Sequence, residues 1–145
     1  MSHITNTVLM IRPVQFRMNE QTAVNNFYQK KSENILPETV NAMATKEFDN
    51  MVEKLRKASI QVIVVQDTKE FDTPDSIFPN NWISFHKNGT IGLYPMFAKN
   101  RRLERKDSIL EAVEAVGFVI KTVVDYTEAE TDGFYLEGTG SILLD

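Results

Sequence analysis

Cysteine is absent from the 145-residue sequence. Its absence excludes disulfides and thiolate metal sites within the chain. It also removes the most nucleophilic side chain that a covalent hydrolase can use. A cysteine-dependent reaction would therefore need its nucleophile from outside these 145 positions.

Long apolar runs and a strong net charge are missing as well. The apolar run at 8–11 is closed by Arg12 and Pro13, and it is too short for a signal peptide or a membrane span. The net charge of −4 gives no general attraction to nucleic acid or to anionic membranes, although the basic run at 99–102 is able to hold one anion. With 42% hydrophobic and 25% charged residues, we expect one globular domain over 1–145, located in the cytoplasm.

The hydrophobic pattern predicts an α/β (α+β) fold. Helical spacing of apolar residues predicts a helix over 39–58, and a Ser-x-x-Glu capping box at 108–111 begins a second helix that Gly117 ends. Residues 21–29 fit either a short helix or a polar loop. An acidic loop is expected over 128–133. Strands are predicted over 7–11, 61–66, 82–85, 90–94 and 118–124, and a further strand begins behind Glu137 and Gly138.

Three polar groups are candidates for a site, and each has an ordinary structural alternative. The segment 73–82 holds Asp75, Asn80 and Asn81 between aromatic residues, which suits a pocket, but its composition alone favours a turn. Arg101 could clamp a carboxylate through two parallel hydrogen bonds, although its spacing alone favours a solvated charge run. Glu137, beside a glycine, is either a partly buried carboxylate or a turn residue. His3 and His86 have no catalytic or metal-binding neighbours in the sequence.

Several short motifs occur in an order that resembles one known superfamily. They are Ile-Arg-Pro at 11–13, Pro-Asp-Ser-Ile-Phe at 74–78, Phe-Pro-Asn-Asn-Trp at 78–82, Leu-Tyr-Pro-Met at 93–96, Asn-Arg-Arg-Leu-Glu at 100–104 and Leu-Glu-Gly-Thr-Gly-Ser at 136–141. Together they resemble the guanidine-modifying, or pentein, superfamily. They are most similar to its amidinotransferase-like branch, which includes citrulline-utilisation hydrolases. The likeness covers essentially the whole chain but only about the first half of a family member.

The resemblance implies part of a five-module ββαβ propeller, with 82–124 as one module. Members of the superfamily attack the substrate carbon with a cysteine assisted by a histidine, both from the later half. The resemblance also implies that Asp75 contacts the substrate, that Arg101 binds its carboxylate and that Glu137 orients the catalytic histidine. It implies no metal or organic cofactor.

Asn80 and Asn81 depart from the dimethylarginine hydrolases, which have Glu-Asp at these positions. A guanidinium offers only donors and suits an aspartate, whereas a ureido group also presents a carbonyl acceptor that an asparagine amide can satisfy. We therefore expect a citrulline-like substrate, converted to ornithine, ammonia and carbon dioxide, with both asparagines near the substrate.

The sequence leaves two classes of function open. The first is the N-terminal part of such a hydrolase, cut before its catalytic histidine and cysteine and inactive alone. The second is a non-catalytic pentein-type binding or assembly module. Either one is expected to bind a small amino acid and to need its missing C-terminal half or another copy of the chain as a partner, without nucleic acid or membrane.

Overall fold

The computed structural model describes residues 5–24, 26 and 35–142, which form a mixed α/β fold. Its strands are β1 (Thr7–Arg12), β2 (Gln61–Gln66), β3 (Ile83–Phe85), β4 (Thr90–Leu93) and β5 (Thr122–Asp125). Its helices are α1 (Pro37–Lys57), α2 (Lys99–Arg102), α3 (Asp107–Ala115) and α4 (Gly138–Ser141), with 3₁₀ helices at Pro79–Asn81 and Thr127–Asp132. The predicted order of β-α-β followed by β-β-α-β is confirmed.

The first sheet pairs β1 with β2 in parallel, from Thr7 opposite Gln61 to Arg12 opposite Gln66. Parallel neighbours need a crossover connection, and α1 supplies it. The predicted helix at 39–58 begins two residues earlier because Pro37 fits the first turn, where its missing N–H costs nothing. Successive residues Val62 and Ile63 are both buried, so β2 is covered on both faces at these positions.

The second sheet has the order β3-β4-β5, in which β3 and β4 form an antiparallel hairpin and β5 runs parallel to β4. The strand predicted at 118–124 is shorter and later than expected. The backbone N–H groups of Lys121 and Thr122 both donate to the carbonyl of Gly89, the residue before β4. Pairing of β5 with β4 therefore begins only at Lys121 and Thr122. The earlier residue Phe118 packs edge-on against Phe85 instead.

The predicted capping box at 108–111 is wrong. Helix α3 already begins at Asp107, and its N-cap, Lys106, makes no side-chain capping bond. The Lys106 ammonium donates to Asp67 Oδ1 at 2.8 Å and to Thr68 Oγ1 at 3.1 Å, which anchors the helix start from outside. Ser108 consequently lies inside the first turn, where it cannot act as the N-cap.

The C-terminal region differs from its prediction in part. The acidic loop at 128–133 is a 3₁₀ helix, and the residues after Glu137 form the single turn α4 before Ile142. The strand predicted there continues into 143–145, outside the described residues. For the segment 21–29 the sequence left a short helix or a loop open. Its residues 21–24 form turns. Residues 25 and 27–29 lie outside the described part of the chain.

The hydrophobic core lies between the two sheets and α3. Its buried members are Ile11, Trp82, Ile83, Ile91, Met96 and Ile109. Trp82 is 1% exposed and directly follows the 3₁₀ helix Pro79–Asn81. The core therefore fixes the polar segment that precedes it. In the described part of the chain, no helix combines the length and apolar character that crossing a membrane requires.

Gly89 is expected to be the more sensitive of two glycines with positive φ. It has φ +87°, and a Cβ there would lie 2.6 Å from the Val119 carbonyl oxygen, whereas Gly117 has φ +97° and no atom within 4 Å. We expect Gly89→Ala to lower the free energy of unfolding by about 3 kcal/mol and Gly117→Ala by about 1 kcal/mol. Urea unfolding measures both, and equal losses would contradict the close contact at Gly89.

Candidate functional site

Arg101, in α2, is the centre of a buried polar cluster. The residue is 4% exposed. Its Nε and Nη2 atoms donate to Oε1 and Oε2 of Glu104 at 3.0 and 3.1 Å, a two-bonded ion pair one helical turn apart. Nη2 also donates to the Phe78 carbonyl at 3.0 Å, and Nη1 donates to Asn81 Oδ1 at 2.9 Å. One guanidinium thus ties α2 to the 3₁₀ helix before the core tryptophan.

Glu137 approaches the same guanidinium from the C-terminal turn. Its Oε2 lies 4.0 Å from Arg101 Nη1, and its Oε1 accepts from the Phe97 backbone N–H at 3.3 Å. The next residue, Gly138, has φ +31°, and a Cβ there would lie 2.3 Å from the Asn80 carbonyl oxygen. The backbone therefore approaches closely beside Glu137, and only glycine fits at position 138.

Asp75 is buried beneath the segment that follows β1. Its Oδ2 accepts from Asn19 Nδ2 at 2.8 Å and from Thr22 Oγ1 at 3.3 Å. Asn19 and Asn100 exchange amide hydrogen bonds at 3.3 and 3.0 Å. Sequence reasoning missed the roles of both asparagines, since Asn19 lies 56 residues from Asp75 and no local pattern links them.

The structure brings the predicted site residues into one region. Arg101 contacts Asn81 directly and lies near Glu137, and its Nη2 is 3.4 Å from the backbone carbonyl of Asp75. Asn80 is exposed, and its backbone carbonyl faces Gly138. The roles predicted for these five residues stay predictions. What the structure adds is that the two parallel bonds of Arg101 are made with Glu104.

The histidines are not part of this cluster as far as the structure describes them. His86 is exposed on the β3–β4 hairpin, with its Nε2 3.0 Å from Ser84 Oγ. His3 lies outside the described residues. Within 5–24, 26 and 35–142, no group of histidine, aspartate and glutamate side chains has an arrangement able to hold a metal ion.

Burial governs the electrostatics of Glu104. The residue is 3% exposed, and loss of solvent raises the pKa of its carboxyl from 4.5 to about 7, against the opposing effect of Arg101. The negative charges of Asp75 and Asp67 add to the increase. Glu104 therefore titrates near neutral pH in the folded chain.

The raised pKa of Glu104 predicts a pH-dependent stability. Between pH 4.5 and about 7 the folded chain holds this proton while the unfolded chain has lost it. The contribution of Glu104 to stability is therefore greatest below this window, and this contribution is expected to fall by about 2–3 kcal/mol as the pH rises through it. Urea unfolding at several pH values measures the slope.

Glu104→Gln is the control, because it removes the titrating group and should flatten the curve between these pH values. Asp49 and Asp72 do not contribute to the slope in this pH range, because their arginine partners lower the pKa of each carboxyl below 3.8. An unchanged slope in Glu104→Gln would assign the pH dependence to other groups.

The buried cluster joins the Arg101 guanidinium to the Glu104 carboxylate and the Asn81 amide through short hydrogen bonds. A family model described as N,N dimethylarginine dimethylhydrolase, eukaryotic, matches residues 12–145. The chain belongs to this family, and so to the guanidine-modifying superfamily that its motifs resemble. No comparable match was found among curated proteins or solved structures.

Proposed function

We propose that this chain supplies the substrate-recognition groups of a hydrolase that acts on the ureido group of citrulline or a closely related amino acid. The orientation of the Asn81 amide is the observation that carries the proposal. The family name points to hydrolysis at the guanidino group of a methylated arginine. The proposal keeps the hydrolysis and replaces the guanidino group of the substrate with a ureido group.

Arg101 determines which end of the Asn81 amide is available to a ligand. A guanidinium has only N–H donors, so the Asn81 atom 2.9 Å from Arg101 Nη1 must be the carbonyl oxygen. The amide NH₂ is then the remaining polar group of Asn81, and no described residue accepts a hydrogen bond from it. A donor in this position requires an acceptor on the ligand.

Ureido and guanidinium groups differ in this respect. The ureido group is neutral and carries a carbonyl acceptor, whereas the guanidinium carries N–H donors only. A guanidinium facing the Asn81 NH₂ would leave donors unpaired, at a cost of about 1–3 kcal/mol. The Asp75 carboxylate accepts N–H donors from either group, so discrimination falls to Asn81, with Asn80 predicted to lie near the same ligand.

The proposed reaction is a covalent hydrolysis. A cysteine thiolate attacks the ureido carbon, and the terminal nitrogen leaves as ammonia after gaining a proton. Water then cleaves the S-carbamoyl bond and regenerates the thiol, and the released carbamate decomposes to ornithine and carbon dioxide. Glu137 would orient the histidine that moves these protons. The carboxylate binding that the resemblance implies for Arg101 is not part of this proposal, because the fork of Arg101 is already bonded to Glu104. The reaction requires no metal or organic cofactor.

The proposal places the nucleophile on a further segment or on another polypeptide, because the 145 residues contain no cysteine. The unit β3-β4-α3-β5 has the ββαβ order of a propeller module, which supports a role as the first part of such a propeller. The remaining modules would come from a C-terminal half or a second copy. A cytoplasmic location stays a prediction from the sequence.

A second candidate is hydrolysis of N,N-dimethylarginine itself, which the name of the matching family favours. Calorimetric titration of the purified chain with citrulline, arginine and N,N-dimethylarginine separates the two. We expect citrulline to bind about tenfold or more tightly than either cation. Ammonia release is followed alongside, and the chain alone should release none.

Tighter binding of N,N-dimethylarginine would overturn the citrulline proposal in favour of the second candidate. Ammonia release by a sample containing only this polypeptide would overturn the cysteine mechanism. Mass spectrometry of the sample establishes that no other polypeptide is present.

A further inference from the structure

Glu104 and Asn81 are the two ends of one hydrogen-bond chain. The Glu104 carboxylate receives two bonds from Arg101, at 3.0 and 3.1 Å, and Arg101 Nη1 donates to Asn81 Oδ1 at 2.9 Å. Glu104 is 3% exposed, whereas Asn81 is only partly buried. This series of hydrogen bonds therefore runs from the protein interior to the edge of the candidate site.

The geometry leaves the guanidinium little freedom to rotate. Its fork is fixed on one side by both oxygens of Glu104, and its Nη2 atom also donates to the Phe78 carbonyl at 3.0 Å. With the plane fixed in this way, Nη1 holds the Asn81 carbonyl in a single orientation. The orientation of the Asn81 NH₂ group therefore depends on a glutamate that lies outside the segment 73–82.

We propose that Glu104 is a positioning residue for specificity, which acts through Arg101 to hold the Asn81 amide with its NH₂ group presented to a ureido carbonyl. This inference rests on the proposed function. Without the Glu104 carboxylate, Arg101 can turn, Asn81 can rotate by half a turn, and its carbonyl oxygen can then face a cationic guanidinium equally well. Glu104 would thus set the preference between neutral and cationic ligands without touching either.

The same geometry bears on the role of Arg101. The fork that would clamp a substrate carboxylate is already bonded to Glu104. The remaining nitrogen, Nη1, lies beside Asn81, which is the residue proposed to bind the ureido end. In citrulline several covalent bonds separate the ureido group from the carboxylate, so Arg101 belongs to the ureido end of the site.

The test uses citrulline, arginine and n-butylurea, which retains the ureido group but lacks the amino-acid part. Dissociation constants of the wild-type chain and of Glu104→Gln are measured by NMR titration. We expect Glu104→Gln to weaken citrulline and n-butylurea by the same factor, about tenfold, and to bring the ratio of citrulline to arginine affinity close to one. A purely structural role would not change that ratio.

Glu130→Gln is the matched control. Glu130 is also a largely buried carboxylate with two arginine partners, Arg102 and Arg105, but no described contact joins it to Asn81. Its removal should leave the affinity ratio unchanged. Where Glu104→Gln does not fold, Arg101→Lys replaces it, because a lysine keeps the buried positive charge but cannot span both Glu104 and Asn81.

Two results would overturn the inference. An unchanged affinity ratio in folded Glu104→Gln or Arg101→Lys would make the pair structural only. A loss of citrulline affinity without loss of n-butylurea affinity would mean that Arg101 holds the substrate carboxylate. Failure of the proposed function is recognised separately, since the wild-type chain would then bind neither citrulline nor n-butylurea.

Discussion

Replacing Arg101 with methionine is expected to lower the free energy of unfolding by about 3–5 kcal/mol, because the change leaves the carboxylate of Glu104 buried without its cation. The side chains of this pair are 5% and 2% exposed, so water cannot replace the lost partner. The Phe78 and Asn81 oxygens lose their donor as well. Urea unfolding at pH 8, above the pKa of about 7 that Glu104 has beside Arg101, measures the loss.

The matched control is Arg17→Met. Arg17 donates to both oxygens of Asp72 at 2.8 Å, a pairing as direct as that of Arg101 with Glu104. Its side chain and that of Asp72 are 27% and 58% exposed, so the change should cost less than about 1 kcal/mol. Equal losses in the two variants would contradict the importance of burial.

The double variant Arg101→Met with Glu104→Leu tests the cause of the loss. Removing both charges leaves no buried ion unpaired, so the double variant should recover at least half of the stability lost in Arg101→Met. A double variant that is less stable than Arg101→Met would mean that packing, rather than the unpaired charge, accounts for the loss.

The second large effect is expected in ligand preference. Asn81→Asp replaces the amide NH₂ with a second acceptor oxygen, while the first oxygen still accepts from Arg101 Nη1. We expect citrulline affinity to fall about 10–100-fold, since its carbonyl then faces a carboxylate. Arginine affinity should rise, because the new oxygen accepts from a guanidinium. Calorimetric titration of both ligands measures the change in preference.

Asn88→Asp is the charge control for this prediction. It makes the same substitution in the exposed β3–β4 turn, where Asn88 Oδ1 accepts from the Thr90 backbone N–H, as an aspartate also can. The ligand preference of this variant should equal that of the wild-type chain. If Asn81→Asp leaves citrulline bound as before, the amide of Asn81 does not recognise the ureido group.

Local sequence patterns predicted much of the fold. The strand predicted at 61–66 and the helix predicted at 39–58 each depend on preferences within a short stretch of sequence, and both are present as β2 and α1. The errors occurred where distant contacts decide. Helix α3 begins at Asp107, directly after Lys106, whose ammonium contacts the distant Asp67 and Thr68, and β5 pairs only where β4 offers partners.

The candidate site shows the same limit. A resemblance of motifs was enough to select Asp75, Asn81, Arg101 and Glu137, which the structure brings into one region. Glu104 was not selected, because its place one turn after Arg101 fits an exposed charge run equally well. Only the fold reveals that this pair is buried against the carbonyl groups of the segment 73–82.

The most direct test of the account observes the Asn81 side-chain amide during ligand binding. In a ¹⁵N-labelled chain, its NH₂ resonances are assigned by comparison with Asn81→Asp and followed as citrulline or arginine is added. The account predicts that citrulline shifts these resonances saturably and that arginine at equal concentration leaves them nearly unchanged. A saturable shift with arginine and none with citrulline would contradict ureido recognition by Asn81.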